Sequence, residues 1–228
     1  MAENLPKKEI SLVIFDCDGV LVAGEHLSTA LMSAEARKYG WSITDKEGDS
    51  IFSGGELKKI GELIAEKSGA TLPADWSDMM ERRIAEMMKI KAVTVDGAED
   101  MIIEIIDMNL PIRVGSNSSS QEMKAKFERT GLDEHLEEGR IHSARDLNIP
   151  KPNPDIYLHA AKEEGVSPDN CIVLEDSDAG VEAAVRAGMT CVLLRDPEKP
   201  GTKFEGVIRI AHLSEFPGVV RQIATNLS

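Results

Sequence analysis

Four short, strongly apolar runs are spaced along the chain, and stretches with helical periodicity lie between them. The runs cover residues 10–15, 110–115, 171–174 and 190–194, and a weaker one covers residues 207–210. Apolar runs of this length are typical of strands buried on both faces, and their alternation with helices is typical of βαβ units. The chain is therefore predicted to be an α/β protein with a Rossmann-like parallel sheet and helices on both faces.

Residues 24–91 interrupt this alternation, because they contain helical patterns and no strand-like run. The segments HLSTALMSAEARKYG and GELKKIGELIAEKSG each end in a glycine, and Pro73 opens a third helical segment. Glycine after the last periodic residue is typical of a helix end, and proline is typical of a first turn. We therefore predict a Rossmann-like core formed by residues 1–23 and 92–228, and an inserted all-helical domain formed by residues 24–91.

Composition excludes several classes of protein. The net charge of −14 argues against binding to nucleic acids or anionic membranes, since both require a basic surface. No window approaches the roughly 18 apolar residues of a membrane span, and the apolar run after Lys7 and Lys8 is too short for a secretory signal. We expect a soluble, cytoplasmic protein. Three cysteines without a CxxC spacing also argue against a disulfide framework.

Polar side chains follow each apolar run at the point where the predicted strand ends. In a parallel α/β sheet, ligands bind outside the carboxyl ends of the strands, so these positions are candidate site residues. A lysine held between two prolines joins them. The candidates are Asp16 and Asp18, Ser116 and Asn117, Lys151, and Glu175 and Asp176.

The spacing of these residues suggests their chemistry. Asp16 and Asp18 are two apart on an extended segment, so both carboxylates point to the same side and repel each other unless a divalent cation lies nearby. Ser116 precedes a helix, where a hydroxyl and backbone N–H groups form an anion site, although a serine here is also typical of an N-cap. The calcium-binding EF-hand loop is excluded, because Val20 and Leu27 stand where it needs oxygen ligands.

Four motifs, FDCDGV, VGSNS, KPNPDIY and LEDSDAGVEAA, occur in this order between Phe15 and Ala184. By these motifs the chain resembles the haloacid dehalogenase-like hydrolase superfamily, in the phosphatase and beta-phosphoglucomutase-like branch with a helical cap. The resemblance implies a catalytic Rossmann-like core, a cap formed by the helical insertion, and Mg²⁺ as cofactor. It also implies that the partner is a small phosphorylated metabolite.

The resemblance assigns a role to each candidate residue. Asp16 would be the nucleophile that forms an aspartyl-phosphate, and Asp18 would be the general acid and then the general base. Ser116, Asn117 and Lys151 would bind the phosphoryl oxygens, and Lys151 would also keep Asp16 ionised. The implied Mg²⁺ ligands are the Asp16 carboxylate, the Asp18 backbone carbonyl, Glu175 and Asp176.

Several activities remain open within this resemblance. Asp18 argues against dehalogenation, since that reaction has no leaving alcohol to protonate. Beta-phosphoglucomutase activity is the main alternative to phosphatase activity, but Ser28 stands where the mutases carry a histidine, with His26 nearby. A cap lysine could also serve phosphonoacetaldehyde hydrolysis, and a protein that binds without turnover is a further alternative. Against the last, the candidate residues are all present.

The cap sequence gives only weak information about the substrate. The segment SGGELKKI suggests a sugar phosphate or phosphogluconate. Two alternatives stay open for His26, Glu56 and Lys59: they face the substrate, or they are solvent-exposed charges on the helices. Relatives carry Asp-Ser where this chain has Ala23 and Gly24, a difference expected to alter the hinge between core and cap. The sequence does not determine the oligomeric state, and we expect a monomer.

Overall fold

The computed structural model describes residues 7–227, and within them a six-stranded parallel sheet forms the centre of the protein. The strand order is β5-β4-β1-β6-β7-β8, so β1 lies in the middle. The strands are β1 (Leu12–Phe15), β4 (Ile112–Ser116), β5 (Ile141–Ser143), β6 (Cys171–Glu175), β7 (Thr190–Leu194) and β8 (Ile208–Ile210). The predicted α/β fold is confirmed.

Alternate side chains of β1 enter two separate hydrophobic clusters, one on each face of the sheet. Val13 and Phe15 pack in the larger cluster, which continues into the helical insertion, whereas Leu12 and Ile14 pack in the smaller one. All four side chains are fully buried. Burial on both faces explains why β1 reads as a continuous apolar run rather than an alternating one.

Helices cover both faces of the sheet. Among the described residues they are α5 (Ala98–Asp107), α6 (Ser120–Thr130), α7 (Asp155–Glu164), α8 (Asp178–Arg186) and α9 (Phe216–Ile223). Within the same part of the chain, no helix combines the length and apolar character that a membrane crossing requires.

The helical insertion follows β2 (Val22–Ala23) and returns through β3 (Val93–Thr94), and these two short strands pair antiparallel as a separate ribbon. Its helices are α1 (Glu25–Lys38), α2 (Asp45–Phe52), α3 (Leu57–Ser68) and α4 (Trp76–Lys91). Helix α4 packs along α6 of the core. The insertion therefore leaves and rejoins the core at one place.

The Ala23–Gly24 pair lies at this junction. Ala23 belongs to the ribbon, and Gly24 precedes α1. A Cβ atom on Gly24 would lie 3.0 Å from the sulfur of Met88 in α4. The missing side chain thus lets α4 pack close to the start of α1.

Candidate active site

The predicted site residues converge at the carboxyl end of the sheet, beneath the helical insertion. A cavity of about 420 Å³ lies there. Its core side is lined by Asp16, Asp18, Ser116, Asn117, Ser118, Glu122, Arg145, Lys151, Asp176, Ser177 and Ala179, and its insertion side by Ser28, Thr29, Met32, Phe52, Ser53, Gly54, Gly55, Leu57 and Ile84. Of the seven candidates in the core, only Glu175 lies outside this lining, and it contacts Lys151 from behind.

Lys151 joins two buried carboxylates at the floor of the cavity. Its Nζ atom donates to Asp16 Oδ1 and to Glu175 Oε1, each at 2.6 Å. Desolvation by burial raises the pKa of Asp16 to about 7; Lys151 opposes this shift, and the negative charges of Glu175 and Asp18 add to it. Lys151 is shared between two carboxylates, and its charge acts in the direction predicted from the sequence by favouring the ionised form of Asp16.

Glu175 has five hydrogen-bond donors around its two oxygens. Lys151 Nζ and the Tyr157 hydroxyl, at 2.5 Å, donate to Oε1. The backbone N–H groups of Asp176 and Ser177 and the Ser177 hydroxyl donate to Oε2 at 3.0–3.1 Å. Burial disfavours its charge, but these donors, with Lys151 foremost, lower the pKa of Glu175. Glu175 therefore fixes Lys151 and the turn after β6 as one rigid unit.

Asp16, Glu175 and Asp176 can bring one carboxylate oxygen each to within 4.8 Å of one another. Hard oxygen donors of this kind suit Mg²⁺. The donors that already surround Glu175 leave Asp16 and Asp176 better placed for direct coordination, with Glu175 behind them. The residues present thus fit a Mg²⁺ site.

Gly19 makes room for Asp176. Its φ angle of +77° is in the left-handed region, and a Cβ atom would lie 1.9 Å from Asp176 Oδ2. Only glycine is compatible with both the backbone conformation and this close approach. The glycine of the FDCDGV motif is therefore needed for the shape of the acidic cluster.

Asp18 is held by two side chains that the sequence did not suggest. Ser118 Oγ donates to Asp18 Oδ2 at 2.8 Å, and Lys126 Nζ donates to Asp18 Oδ1 at 2.7 Å. Ser118 follows Ser116 by two residues, but Lys126 lies two turns along α6. A lysine inside a helix is usually a solvent-exposed charge, so no sequence signal separated Lys126 from its neighbours.

The loop after β4 connects several parts of the site. Ser116 Oγ accepts from the backbone N–H of Ser118 at 3.1 Å, and Asn117 Oδ1 accepts from the backbone N–H of Lys151 at 2.9 Å. The N-cap of α6 is Ser119, whose side chain accepts from the N–H of Glu122. Ser116 is thus not the helix cap and lies in the cavity lining.

The insertion contributes residues other than the three considered in the sequence. His26, Glu56 and Lys59 are exposed and do not line the cavity, and Lys59 pairs with Glu56 at 3.0 Å. Of the two alternatives left open by the sequence, the structure shows the solvent-exposed one for these residues. Ser28, Thr29 and Ser53 line the cavity instead.

A parallel sheet with an acidic cluster, a lysine and a hydroxyl at its carboxyl edge, covered by a helical insertion, is the architecture of a capped α/β hydrolase. A sequence model for the haloacid dehalogenase-like hydrolases matches residues 10–188. The chain belongs to the haloacid dehalogenase-like hydrolase family, which confirms the resemblance seen in its motifs.

Two relatives and one solved structure illustrate its place in the family. The 6-phosphogluconate phosphatase of Escherichia coli strain K12 is 27% identical over 91% of this chain and 93% of its own length. The fructose-1-phosphate phosphatase YqaB of the same strain is 27% identical over 80% of this chain and 95% of its own. A haloacid dehalogenase-like protein of unknown function from Agrobacterium tumefaciens is 29% identical, with a TM-score of 0.73 over 93% of this chain and 98% of that one.

Proposed function

We propose that this protein is a Mg²⁺-dependent phosphatase that hydrolyses a small phosphorylated metabolite through an aspartyl-phosphate intermediate. One observation carries the proposal: Asp16 and Asp18 line the same cavity as Ser116 and Lys151, and Lys151 contacts Asp16 at 2.6 Å. This arrangement supplies a nucleophile, a proton donor and anion-binding groups in one place. Similarity to phosphatases over most of the chain supports the same reaction class.

In the first step an Asp16 carboxylate oxygen attacks phosphorus and forms an acyl-phosphate bond. The bond between phosphorus and the ester oxygen breaks, and Asp18 donates its proton to the leaving alkoxide. Lys151 and Ser116 bind the phosphoryl oxygens as their charge grows. Asn117 holds the Lys151 backbone and so keeps the lysine in place.

In the second step a water molecule attacks the phosphorus of the aspartyl-phosphate, and Asp18 accepts the proton of that water. The acyl-phosphate bond breaks, which returns the Asp16 carboxylate and releases inorganic phosphate. Asp16 and Asp176, with the Asp18 backbone carbonyl and Glu175 behind them, are the residues that would hold Mg²⁺. When bound, the ion would offset the negative charge of the carboxylates and the phosphoryl group.

The insertion side of the cavity suits an uncharged polyol. Among the cavity-lining residues of the described chain, those from the insertion carry no charge. Ser28 and Ser53 bring hydroxyl groups to the lining beside the apolar surfaces of Phe52 and Ile84, whereas the Thr29 hydroxyl donates to Asp49. We therefore propose a sugar phosphate as the substrate, with helices α1–α4, in residues 24–91, acting as a cap over the core of residues 1–23 and 92–228. Phosphogluconate, the other substrate suggested by the sequence, carries a carboxylate for which the described insertion side of the lining offers no cation.

The lining favours phosphatase over beta-phosphoglucomutase activity. Ser28 lines the cavity at the position where the mutases carry a histidine, and His26 is exposed outside it. Among the described residues of the lining, the only arginine is Arg145, which belongs to the core. A cap without an imidazole or guanidinium in the cavity lacks the cation that would hold a second phosphate.

The test is a screen of phosphorylated metabolites with Mg²⁺, comparing the wild type with Asp16→Asn. We expect phosphate release by the wild type and a loss of at least about a thousandfold in Asp16→Asn, because the amide cannot attack phosphorus. Asp107→Asn, at an exposed position at the end of α5, is the matched control. Absence of phosphate release from every compound, or equal activity in Asp16→Asn, contradicts the proposal.

A second assay separates the two phosphoryl-transfer activities. The protein is supplied with beta-glucose 1-phosphate and a glucose bisphosphate primer. We expect inorganic phosphate without glucose 6-phosphate. Accumulation of glucose 6-phosphate in place of inorganic phosphate would assign the mutase reaction instead.

A further inference from the structure

A second buried lysine lies beside the proposed acid/base residue, and the reaction scheme above does not use it. Lys126 has no exposed surface, although it lies near the middle of α6. Its Nζ atom contacts three partners: Asp18 Oδ1 at 2.7 Å, Ser118 Oγ at 2.9 Å and Glu122 Oε1 at 2.6 Å. Burial of an ammonium group is costly, so a set of contacts this complete indicates a specific role.

We propose that Lys126 is a positioning residue that holds the carboxylate of Asp18 in the orientation required for proton transfer. This inference rests on the proposed phosphatase function and adds a residue to its mechanism.

The contacts determine the orientation of Asp18 in two ways. Lys126 and Ser118 bind different oxygens of the carboxylate, so its plane cannot rotate freely. Lys126 also donates to Ser118 Oγ, which fixes the hydroxyl that binds the second oxygen. Proton transfer needs a donor and an acceptor held within hydrogen-bond distance of each other. A carboxylate that rotates freely spends less time in the orientation that meets this requirement.

Glu122 supplies the charge that makes this arrangement possible. It is one turn before Lys126 on α6, and its side chain is also buried. Lys126 therefore faces two carboxylates, Glu122 and Asp18, and stays cationic between them. Because Glu122 also pairs with the lysine at 2.6 Å, the buried ammonium group has a second carboxylate partner besides Asp18.

The inference is tested with two aryl phosphates that differ mainly in leaving group. p-Nitrophenolate departs as a stable anion and needs no proton, whereas phenolate departs much faster when it is protonated. Lys126→Met keeps the apolar stem and removes the ammonium group. We expect kcat/KM for phenyl phosphate to fall by about tenfold or more and that for p-nitrophenyl phosphate by less than about threefold, since general acid catalysis contributes roughly 10²–10⁴ in rate. For p-nitrophenyl phosphate, kcat and KM should fall together, because hydrolysis of the aspartyl-phosphate becomes the slow step.

The second step gives an independent signal. With p-nitrophenyl phosphate, Lys126→Met should form the aspartyl-phosphate at a nearly normal rate but hydrolyse it slowly, because Asp18 no longer activates water. Rapid mixing should then show a burst of p-nitrophenolate close to one equivalent of enzyme, larger than that of the wild type. A purely structural defect would lower both phases together and would not change the ratio of the two substrates.

Three further variants keep the test valid if Lys126→Met folds poorly. Lys126→Met/Glu122→Gln removes the buried charge of the partner as well and should show the same leaving-group dependence. Ser118→Ala removes the other donor to Asp18 and should shift the ratio in the same direction by a smaller factor. Lys124→Met, at an exposed position on the same helix, should behave as the wild type.

The outcomes are distinct for the two proposals. If the wild type hydrolyses neither aryl phosphate nor any metabolite, the phosphatase proposal fails, and this inference fails with it. If the wild type is active and the folded Lys126 variants lose the same factor on both substrates, or lose nothing, only the role of Lys126 is refuted. A rise in kcat would also refute it, because Lys126 would then hold Asp18 away from the substrate.

Discussion

Replacing Gly19 by alanine should weaken Mg²⁺ binding as well as the fold. The added Cβ would lie 1.9 Å from Asp176 Oδ2. An ordinary contact between carbon and oxygen is about 3.3 Å, so the carboxylate has to retreat by about 1.4 Å. Mg²⁺ requires near-ideal octahedral distances of about 2.1 Å, and a displacement of that size removes one ligand.

The expected magnitudes follow from these two effects. Alanine in the left-handed backbone region costs about 1–2 kcal/mol of unfolding free energy. Loss of a well-placed carboxylate should raise the half-saturating Mg²⁺ concentration by about ten- to a hundredfold, comparable with or greater than the effect of removing residues that orient metal ligands. The assay is a Mg²⁺ titration followed in parallel by thermal unfolding and by phosphate release.

Gly131 offers a matched control for the backbone effect. Its φ angle is +78°, and a Cβ atom there would meet nothing within 4 Å. In the absence of Mg²⁺, Gly131→Ala should lower the free energy of unfolding by about as much as Gly19→Ala does. Its midpoint in the Mg²⁺ titration should equal that of the wild type. Equal Mg²⁺ midpoints in the two folded variants would show that Asp176 is not a ligand at this position, and the reasoning would be refuted.

Two other predictions concern stability. Tyr157→Phe removes the hydroxyl that donates to Glu175 at 2.5 Å. Urea denaturation should therefore show a free energy of unfolding lower by about 1.5–3 kcal/mol. A decrease below about 0.5 kcal/mol would mean that the remaining donors satisfy Glu175 without the hydroxyl. Burial, the ring of His159 and the charge of Arg113 lower the pKa of His142 to about 4. Between that pKa and about 6.5 the unfolded chain binds the proton more tightly than the folded protein, so stability should fall by about 2–3 kcal/mol as the pH drops from 7 to 4. In urea melts at several pH values, the unfolding free energy of His142→Gln should fall less between pH 7 and pH 4 than that of the wild type. The same pH dependence in both proteins would show that His142 is not the group responsible.

The sheet was predictable because its strands are buried on both faces. Apolar runs at residues 171–174 and 190–194 match β6 and β7 to within a residue. The edge strand β5 was missed, since its three residues include a histidine and a serine and carry no apolar signal. Helix α2 was missed as a separate element because it is short, and a capping box between Thr44 and Glu47 defines its start.

The candidate site was predictable where residues follow strands. The strand-end rule places Asp16, Ser116 and Glu175 at one edge without any knowledge of strand order. Lys126 could not be found in this way, because it reaches Asp18 only through the packing of α6 against α4, the β2–β3 ribbon and β5. Contacts that depend on tertiary packing leave no periodic mark in the sequence.

The antiparallel ribbon of β2 and β3 has a consequence for the order of folding. Strands β1 and β4 pair directly although roughly a hundred residues separate them along the chain. Suppose that α1–α4 fold first and that Val22 pairs with Thr94. The links from β1 to Val22 and from Thr94 to β4 then form an effective loop of roughly 25 residues between the two central strands. The entropy cost of joining β1 to β4 then falls by about 1 kcal/mol. In that order of events, the β2–β3 ribbon shortens the loop that the pairing of β1 with β4 has to close.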